Sequence, residues 1–398
     1  MKRNVILIDG TWNDEGIGSD TNVAKLDPTY GDAGALIKAK ASDGTFQPCF
    51  YHAGVGSEAP CLRRMLGGAI GFGLKAIITQ AYAKLAGTYE AGDEIYLIGF
   101  SRGAYAVRAL AGLIGASGIA RSADKDVIEA AWQFYRVKPS IRRGRATPGF
   151  TDRRRIVAYR SLEGNALFHE DRTITCVAVW DTVGSYGIPA GIGLAPLARY
   201  FTLAVLGFHD TYFGDHIDVG LHAVAIDEHR RPFVPTLWTM PKGRPPRGHI
   251  EQTWFAGSHC NVGGGYRDSG LSDDAFAWLL ARIEALTALE FDGAAIAARI
   301  HPDLAGGIVD STLGWPIDHR WPHLRTVLAP EAIDHAAFSS SPNPRDENIN
   351  ERVHWSVMKK LGGNQGAPYA PPNLHLPIPP ARVAEKTAEE ELVWAQRS

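Results

Sequence analysis

The sequence predicts an α/β fold: a mostly parallel sheet with helices on both faces and long insertions. Three observations predict it. Short apolar runs alternate with helix-period segments, the pattern of strands covered on both faces by crossover helices. Several runs end in polar or turn-rich clusters, which a parallel sheet gathers along one edge. One run, residues 95–100, passes through Gly99-Phe100-Ser101-Arg102-Gly103 into an Ala/Val/Leu-rich segment, the strand–turn–helix setting of a nucleophilic serine.

Strands are expected at 5–8, 46–52, 95–100, 174–180, 219–226 and 252–255. The polar clusters that end them include Asp9-Gly10-Thr11, Asp181-Thr182-Val183-Gly184, Asp227-Glu228 and Gly257-Ser258-His259. Helical periodicity is expected over 71–89, 104–115, 127–135 and 273–286. Residues 136–172 are arginine-rich without a clear period and read as a solvated or mobile insertion, or as a patch for phosphate headgroups or a partner. Residues 366–380 carry too many prolines for a helix and read as extended chain. The expected organisation is one catalytic domain over 1–375, with insertions at 136–172 and 188–216, and a tail over 376–398 that could form a short amphipathic helix from 381.

The 398 residues suffice for a sizeable core, and 45% hydrophobic with 21% charged residues is ordinary globular composition. A formal net charge of −2, with no basic stripe interleaved with aromatics, predicts no nucleic-acid partner. The N-terminal apolar run, Val5 to Ile8, is too short for the apolar region of a signal peptide, and no run approaches a membrane span. The expectation is cytoplasmic synthesis, with any export by a signal-independent route. Cys49, Cys61, Cys176 and Cys260 have no zinc or redox spacing and read as buried small hydrophobes.

A nucleophilic serine needs a base, and the base needs an orienting carboxylate. On a strand-to-helix elbow the chain order is serine, acid, histidine. Ser101 comes first, and His259 follows the late run 252–255, with Gly263-Gly264-Gly265 soon after it. Three consecutive glycines imply a backbone that approaches another group closely or takes positive φ. Asp181 and Asp227 both end predicted strands, and spacing does not decide between them. The loser would pair with Arg230 or Arg231, or cap a turn. An oxyanion needs two donors, each contributing about 3 kcal/mol. The Arg102 backbone N–H is one, and the loop through Gly10 and Thr11 is expected to supply the other. His209-Asp210 and Asp215-His216-Ile217-Asp218 crowd potential ligands together, but without a zinc spacing, so no metal is expected. The chemistry requires no cofactor. The apolar, glycine-rich stretch 188–213 reads as a lid, an acyl-binding wall or ordinary core.

Several blocks stand together in one order: Ile8-Asp9-Gly10-Thr11-Trp12-Asn13, Tyr51-His52-Ala53-Gly54-Val55-Gly56, Gly99-Phe100-Ser101-Arg102-Gly103-Ala104, Val179-Trp180-Asp181-Thr182-Val183-Gly184, Ala225-Ile226-Asp227-Glu228, Arg231-Pro232-Phe233, and Trp254 through Tyr266. In these the chain resembles the α/β-hydrolase domain family typified by type VI secretion phospholipase effectors, with uncharacterised relatives in fungi. The resemblance runs from about Asn4 to about Asn373. It implies a Ser-Asp-His esterase acting on lipid acyl esters, a phospholipase or lipase often delivered into rival cells. It places the nucleophile on Ser101, the base on His259 and the acid on Asp181, with Asp227 in reserve. It also brings in a membrane surface, a secretion machinery and an immunity protein as partners to expect. Effectors of this kind tend to carry an added membrane-binding part, and this sequence is taken up almost wholly by the hydrolase domain. The same triad could serve a soluble carboxylesterase, a thioesterase or a peptidase. A non-catalytic binding relative would have no need of all three residues.

Overall fold

The computed structural model describes residues 1–10, 20–29, 34–54, 69–183, 212–313, 316–328, 346–363, 368–388 and 390–391. Thr11, Cys61, the His209-Asp210 pair and residues 188–211 of the second expected insertion lie outside them.

The N-terminal apolar run forms β1 (Arg3–Ile8), buried along its whole length. α1 (Asn22–Leu26), β2 (Cys49–His52), α2 (Ala69–Thr88), β3 (Glu94–Phe100) and α3 (Ser101–Ser117) follow. Next come α4 (Lys125–Tyr135), α5 (Pro139–Arg142), α6 (Phe150–Gly164), β4 (Ile174–Trp180), β5 (Ile217–Ala225), β6 (Thr239–Pro241) and β7 (His249–Phe255). The chain continues through α7 (His259–Gly263), α8 (Gly270–Leu286), α9 (Gly293–Arg299) and α10 (Pro316–Arg320). It ends with β8 (Asp346–Asn348), β9 (Glu351–His354), α11 (Trp355–Leu361) and β10 (Val383–Ala384).

Eight strands form one sheet in the order β10-β9-β7-β5-β4-β3-β1-β2, and every neighbouring pair is parallel. Side chains alternate between faces along each strand. Ile95 and Leu97 of β3 therefore join one core cluster with Ile78, Leu110 and Trp132 of α2, α3 and α4. Tyr96, Ile98 and Phe100 join a second cluster with Phe276 and Leu279 of α8. Burial on both faces explains why these strands read as continuous apolar runs. The strand order reverses at β1, with β2 on one side and β3 on the other. A parallel sheet opens to ligands in the crevice above the carboxyl ends at such a reversal.

The arginine-rich stretch is not a loose insertion. Residues 150–164 form α6, docked through the Tyr159 ring, which stacks on Phe134 of α4 at 4.0 Å between centroids. The Tyr159 hydroxyl donates to the Ser117 carbonyl at 2.7 Å. Tyr159 is the one fully buried residue of α6, and only the half-buried Ile156 and Leu162 join it against the core, so the apolar stripe is narrow among the arginines. The expected tail also belongs to the fold, because Val383–Ala384 extends the sheet beside β9. Extended chain does cross the domain before it. Tyr369 donates to Asp227 at 2.9 Å, and the Asn373 amide donates to the Ile226 and Arg325 carbonyls, each at 3.0 Å.

His354 fastens the C-terminal segment. Its Nε2 lies 2.9 Å from a Glu390 carboxylate oxygen, and Asp274 approaches from the other side. Burial alone would lower its pKa, but Asp274 and Glu390 together push it up to about 9. Folding therefore takes up a proton. The stabilisation is complete below pH 6.5 and is lost as pH rises through about 9. Glu390→Gln is expected to lower the unfolding temperature below pH 6.5 and to have little effect above pH 9, followed by circular dichroism. A deficit independent of pH would contradict the pairing.

Candidate active site

Ser101 stands where β3 turns into α3, with φ of 58° and almost no solvent exposure. A left-handed conformation at a non-glycine residue costs about 1–3 kcal/mol and persists only where the surroundings enforce it. The two flanking glycines make the tight turn possible on steric grounds. A Cβ at Gly103 would sit 2.1 Å from the Ile8 carbonyl oxygen, and one at Gly99 would sit 2.8 Å from the Gly103 carbonyl carbon. The close packing of β1, β3 and α3 thus excludes any side chain at either position.

His259 opens α7 after β7, and its Nε2 lies 2.8 Å from Ser101 Oγ. Its Nδ1 lies 2.5 Å from Asp181 Oδ2. The imidazole is wedged between Phe100, at 4.6 Å between centroids, and Phe233, at 5.0 Å. The glycine run behind it behaves as expected: a Cβ at Gly263 would fall 2.0 Å from the Phe100 ring, and Gly264 has φ of 87°. Burial lowers the His259 pKa below its ordinary value, against the raising effect of Asp181.

Asp181 follows β4 with φ of 36° and is fully buried. Its Oδ1 accepts from the Ala225 N–H at 3.0 Å and from Arg325 at 2.6 Å, and its Oδ2 accepts from Arg325 at 2.9 Å. Burial would raise its pKa. The Arg325 charge and the His259 donor outweigh that and hold the carboxyl well below the usual range. Asp227 does not reach the imidazole. It accepts from the Gly257 N–H at 2.7 Å and from Tyr369, and burial raises its pKa. Nor does it take the arginine expected for it, since Arg230 is held by Glu228 and Arg231 by Asp318.

The oxyanion expectations fare differently. Arg102 is the second residue of α3, beside Ser101 at the helix N-terminus. Gly10 does lie against the serine, since a Cβ there would be 3.3 Å from Ser101 Cβ. Its N–H, however, donates to the Asp9 carboxylate at 2.6 Å and so is not aimed at a substrate. Asp9 also accepts from Thr21 at 2.6 Å and Tyr51 at 2.9 Å. The crowded acidic segment near 215 is dispersed. Asp215 pairs with Arg244 at 2.7 Å, and His216 Nε2 meets the Ala111 carbonyl at 2.9 Å. Among the described residues no group of three or more His, Cys, Asp or Glu side chains is arranged to hold a metal ion.

Two ion pairs escape the sequence reading. Arg325 clamps Asp181 and also donates to the Ala225 and Phe233 carbonyls at 2.7 and 2.5 Å. Glu228 accepts from the His259 N–H at 3.3 Å and binds Arg230 with two hydrogen bonds of 2.9 Å each. The Arg230 guanidinium lies 3.6 Å from the Phe233 ring centroid, backing the ring that faces His259. The only available signal for Arg325 is the rule that a buried carboxylate requires a cation. Arg325→Leu is expected to destabilise the fold by about 3–5 kcal/mol in denaturant unfolding, because it strands the buried Asp181 charge. A loss no larger than that of an exposed arginine would contradict this role.

The family comparison agrees with the resemblance read from the sequence. The model of the family described as T6SS, phospholipase effector Tle1-like, catalytic domain matches residues 2–282. The uncharacterized protein YEL023C of Saccharomyces cerevisiae is 32% identical over 147 residues, which are 33% of this chain and 20% of that protein. An uncharacterized Pseudomonas aeruginosa protein of solved structure is similar over 76% of this chain and 49% of its own, with 18% identity and a TM-score of 0.41. The Tle1 effector, solved bound to the VgrG spike of the type 6 secretion system, is similar over 68% and 52%, with 18% identity and a TM-score of 0.30. This chain thus spans about half the length of either solved protein. No helix among the described residues is long and apolar enough to cross a membrane. With its parallel sheet, its serine elbow and a family match over most of its length, the chain belongs to the Tle1-like catalytic domain family of type VI secretion phospholipase effectors.

Proposed function

We propose that Ser101, His259 and Asp181 are the catalytic triad of a carboxylic ester hydrolase that cleaves lipid acyl esters through an acyl-enzyme. The observation that carries this reading is the unbroken chain from Ser101 Oγ to His259 Nε2 and from His259 Nδ1 to Asp181, buried at the carboxyl ends of β3, β4 and β7. The family match supports lipid as the substrate class.

In the proposed first step His259 Nε2 takes the Ser101 proton while Oγ attacks the ester carbonyl. Asp181, kept ionised and oriented by Arg325, balances the imidazolium. The Arg102 N–H and a donor from the loop after β1, Thr11 or a Gly10 released from Asp9, stabilise the oxyanion. Collapse expels the alcohol, which leaves with the proton from His259. A water then gives its proton to His259 and attacks the acyl-enzyme, and the acid departs as Ser101 regains its hydrogen. No step needs a cofactor. Delivery by a secretion machinery and contact with a membrane surface belong to the same proposal.

Ser101→Ala and His259→Ala are each expected to lower kcat on p-nitrophenyl esters by up to about a million-fold, and Asp181→Asn by about 10⁴. Equal activity of wild type and Ser101→Ala would refute the assignment. Phosphatidylcholine vesicles in the same assay decide between a phospholipase and a soluble esterase. His259 must be neutral to act as base, and its lowered pKa keeps it neutral into mild acid. The acid limb of kcat/KM is therefore expected below pH 6.5, and a limb above that value would contradict the burial of the imidazole.

A further inference from the structure

A cavity of about 630 Å³ lies away from the serine. It is lined by the end of α3 at Gly112 and Gly115, which is about 16–21 Å from Ser101 along the helix axis. None of the described residues assigned to catalysis touches it. Among the described residues its walls carry six arginines, Arg142, Arg143, Arg145, Arg160, Arg172 and Arg244, and a single carboxylate, Asp215.

The neighbouring acids do not balance these charges. Asp215 is held by Arg244 at 2.7 Å. Glu163, just behind the wall, is shared between Arg160 and Arg172. Arg172 is further tied to the α3 carbonyls of Gly115 and Ala116. Arg143 and Arg145 are exposed and meet no carboxylate among the described residues. His216, also on the wall, has its pKa lowered by burial, so it stays neutral and neither adds to nor offsets the arginine charge. Arginines gathered around a concave space repel one another unless an anion sits between them. Guanidinium groups match phosphate oxygens in two-point hydrogen bonds. The floor, with Phe213 and Met240, is apolar, as a pocket for the organic part of a small ligand should be.

We propose that this cavity is a second, non-catalytic site for a phosphate-bearing anion, taken either from a phospholipid headgroup or from a free organophosphate. α6, which lends Arg160 to the cavity wall, also carries the exposed Phe150, Arg153, Arg154 and Val157. That is the mixture of basic and apolar side chains suited to the edge of an anionic bilayer. The inference concerns binding alone and does not depend on the role given to Ser101.

The test measures binding without turnover, so this site and the triad can fail separately. Glycerol 3-phosphate is titrated by calorimetry, and vesicles of phosphatidylcholine with and without phosphatidylglycerol are assayed by co-sedimentation. Wild type is compared with Arg143→Ala/Arg145→Ala, whose exposed side chains can be removed without opening the core. Arg320→Ala/Arg352→Ala, two exposed arginines outside the cavity, gives the same change in net charge. The expected result is saturable binding that weakens by about tenfold or more in the cavity variant and persists in the control. Binding of glycerol 3-phosphate identifies a free organophosphate as a source, and binding confined to phosphatidylglycerol vesicles identifies the headgroup. Wild type that binds neither probe, or two variants that lose binding equally, would overturn the proposal.

Discussion

The site depends on one buried carboxylate. Asp181 is cut off from water, so its charge persists only because Arg325, the Ala225 N–H and His259 satisfy it from three directions. Those partners come from the end of β5, from the loop at 321–328 and from α7. Their convergence is what fixes the imidazole opposite Ser101. Arg325 also holds the Phe233 carbonyl, and the Phe233 ring packs on His259, so the same guanidinium sets both the charge and one wall of the base. Arg325 and the Asn373 amide that anchors its backbone both lie beyond the residues matched by the family model. The C-terminal third is therefore part of the site's support.

A second constraint acts on the serine. β1, β3 and α3 approach so closely that glycine is required at positions 99 and 103, and the chain between them takes the left-handed turn that presents Ser101. The loop after β1 is brought to the same place, where Asp9, Thr21 and Tyr51 form a hydrogen-bonded knot beside the nucleophile. Through the Gly10 N–H, this knot controls how the backbone faces the serine.

The sheet is legible in the sequence because its central strands are buried on both faces and cannot avoid being apolar. Helices α2, α3 and α8 are legible because each packs an apolar side on that sheet, and α4 because it packs one on α2, α3 and α6. α6 is hidden, since only Tyr159 is fully buried and the half-buried Ile156 and Leu162 beside it are outnumbered by exposed polar residues. β9 and β10, of four and two residues, are too short to carry a period and depend on pairing with strands already formed. Ser101 and His259 are legible through the backbone that positions them, which leaves glycines in the sequence. Spacing does not choose Asp181 over Asp227, because both end parallel strands; the family resemblance favours Asp181, and only the three-dimensional course of 321–328 brings a cation to it. Gly10 shows the limit of a positional argument. It lies where the sequence places it, yet its N–H is engaged by the preceding side chain.

The most direct test of the account is covalent labelling with a lipid-like fluorophosphonate, read by mass spectrometry. A single adduct is expected on Ser101, absent in Ser101→Ala and formed far more slowly in His259→Ala. An adduct on another residue, or a protein that does not react at all, would contradict it.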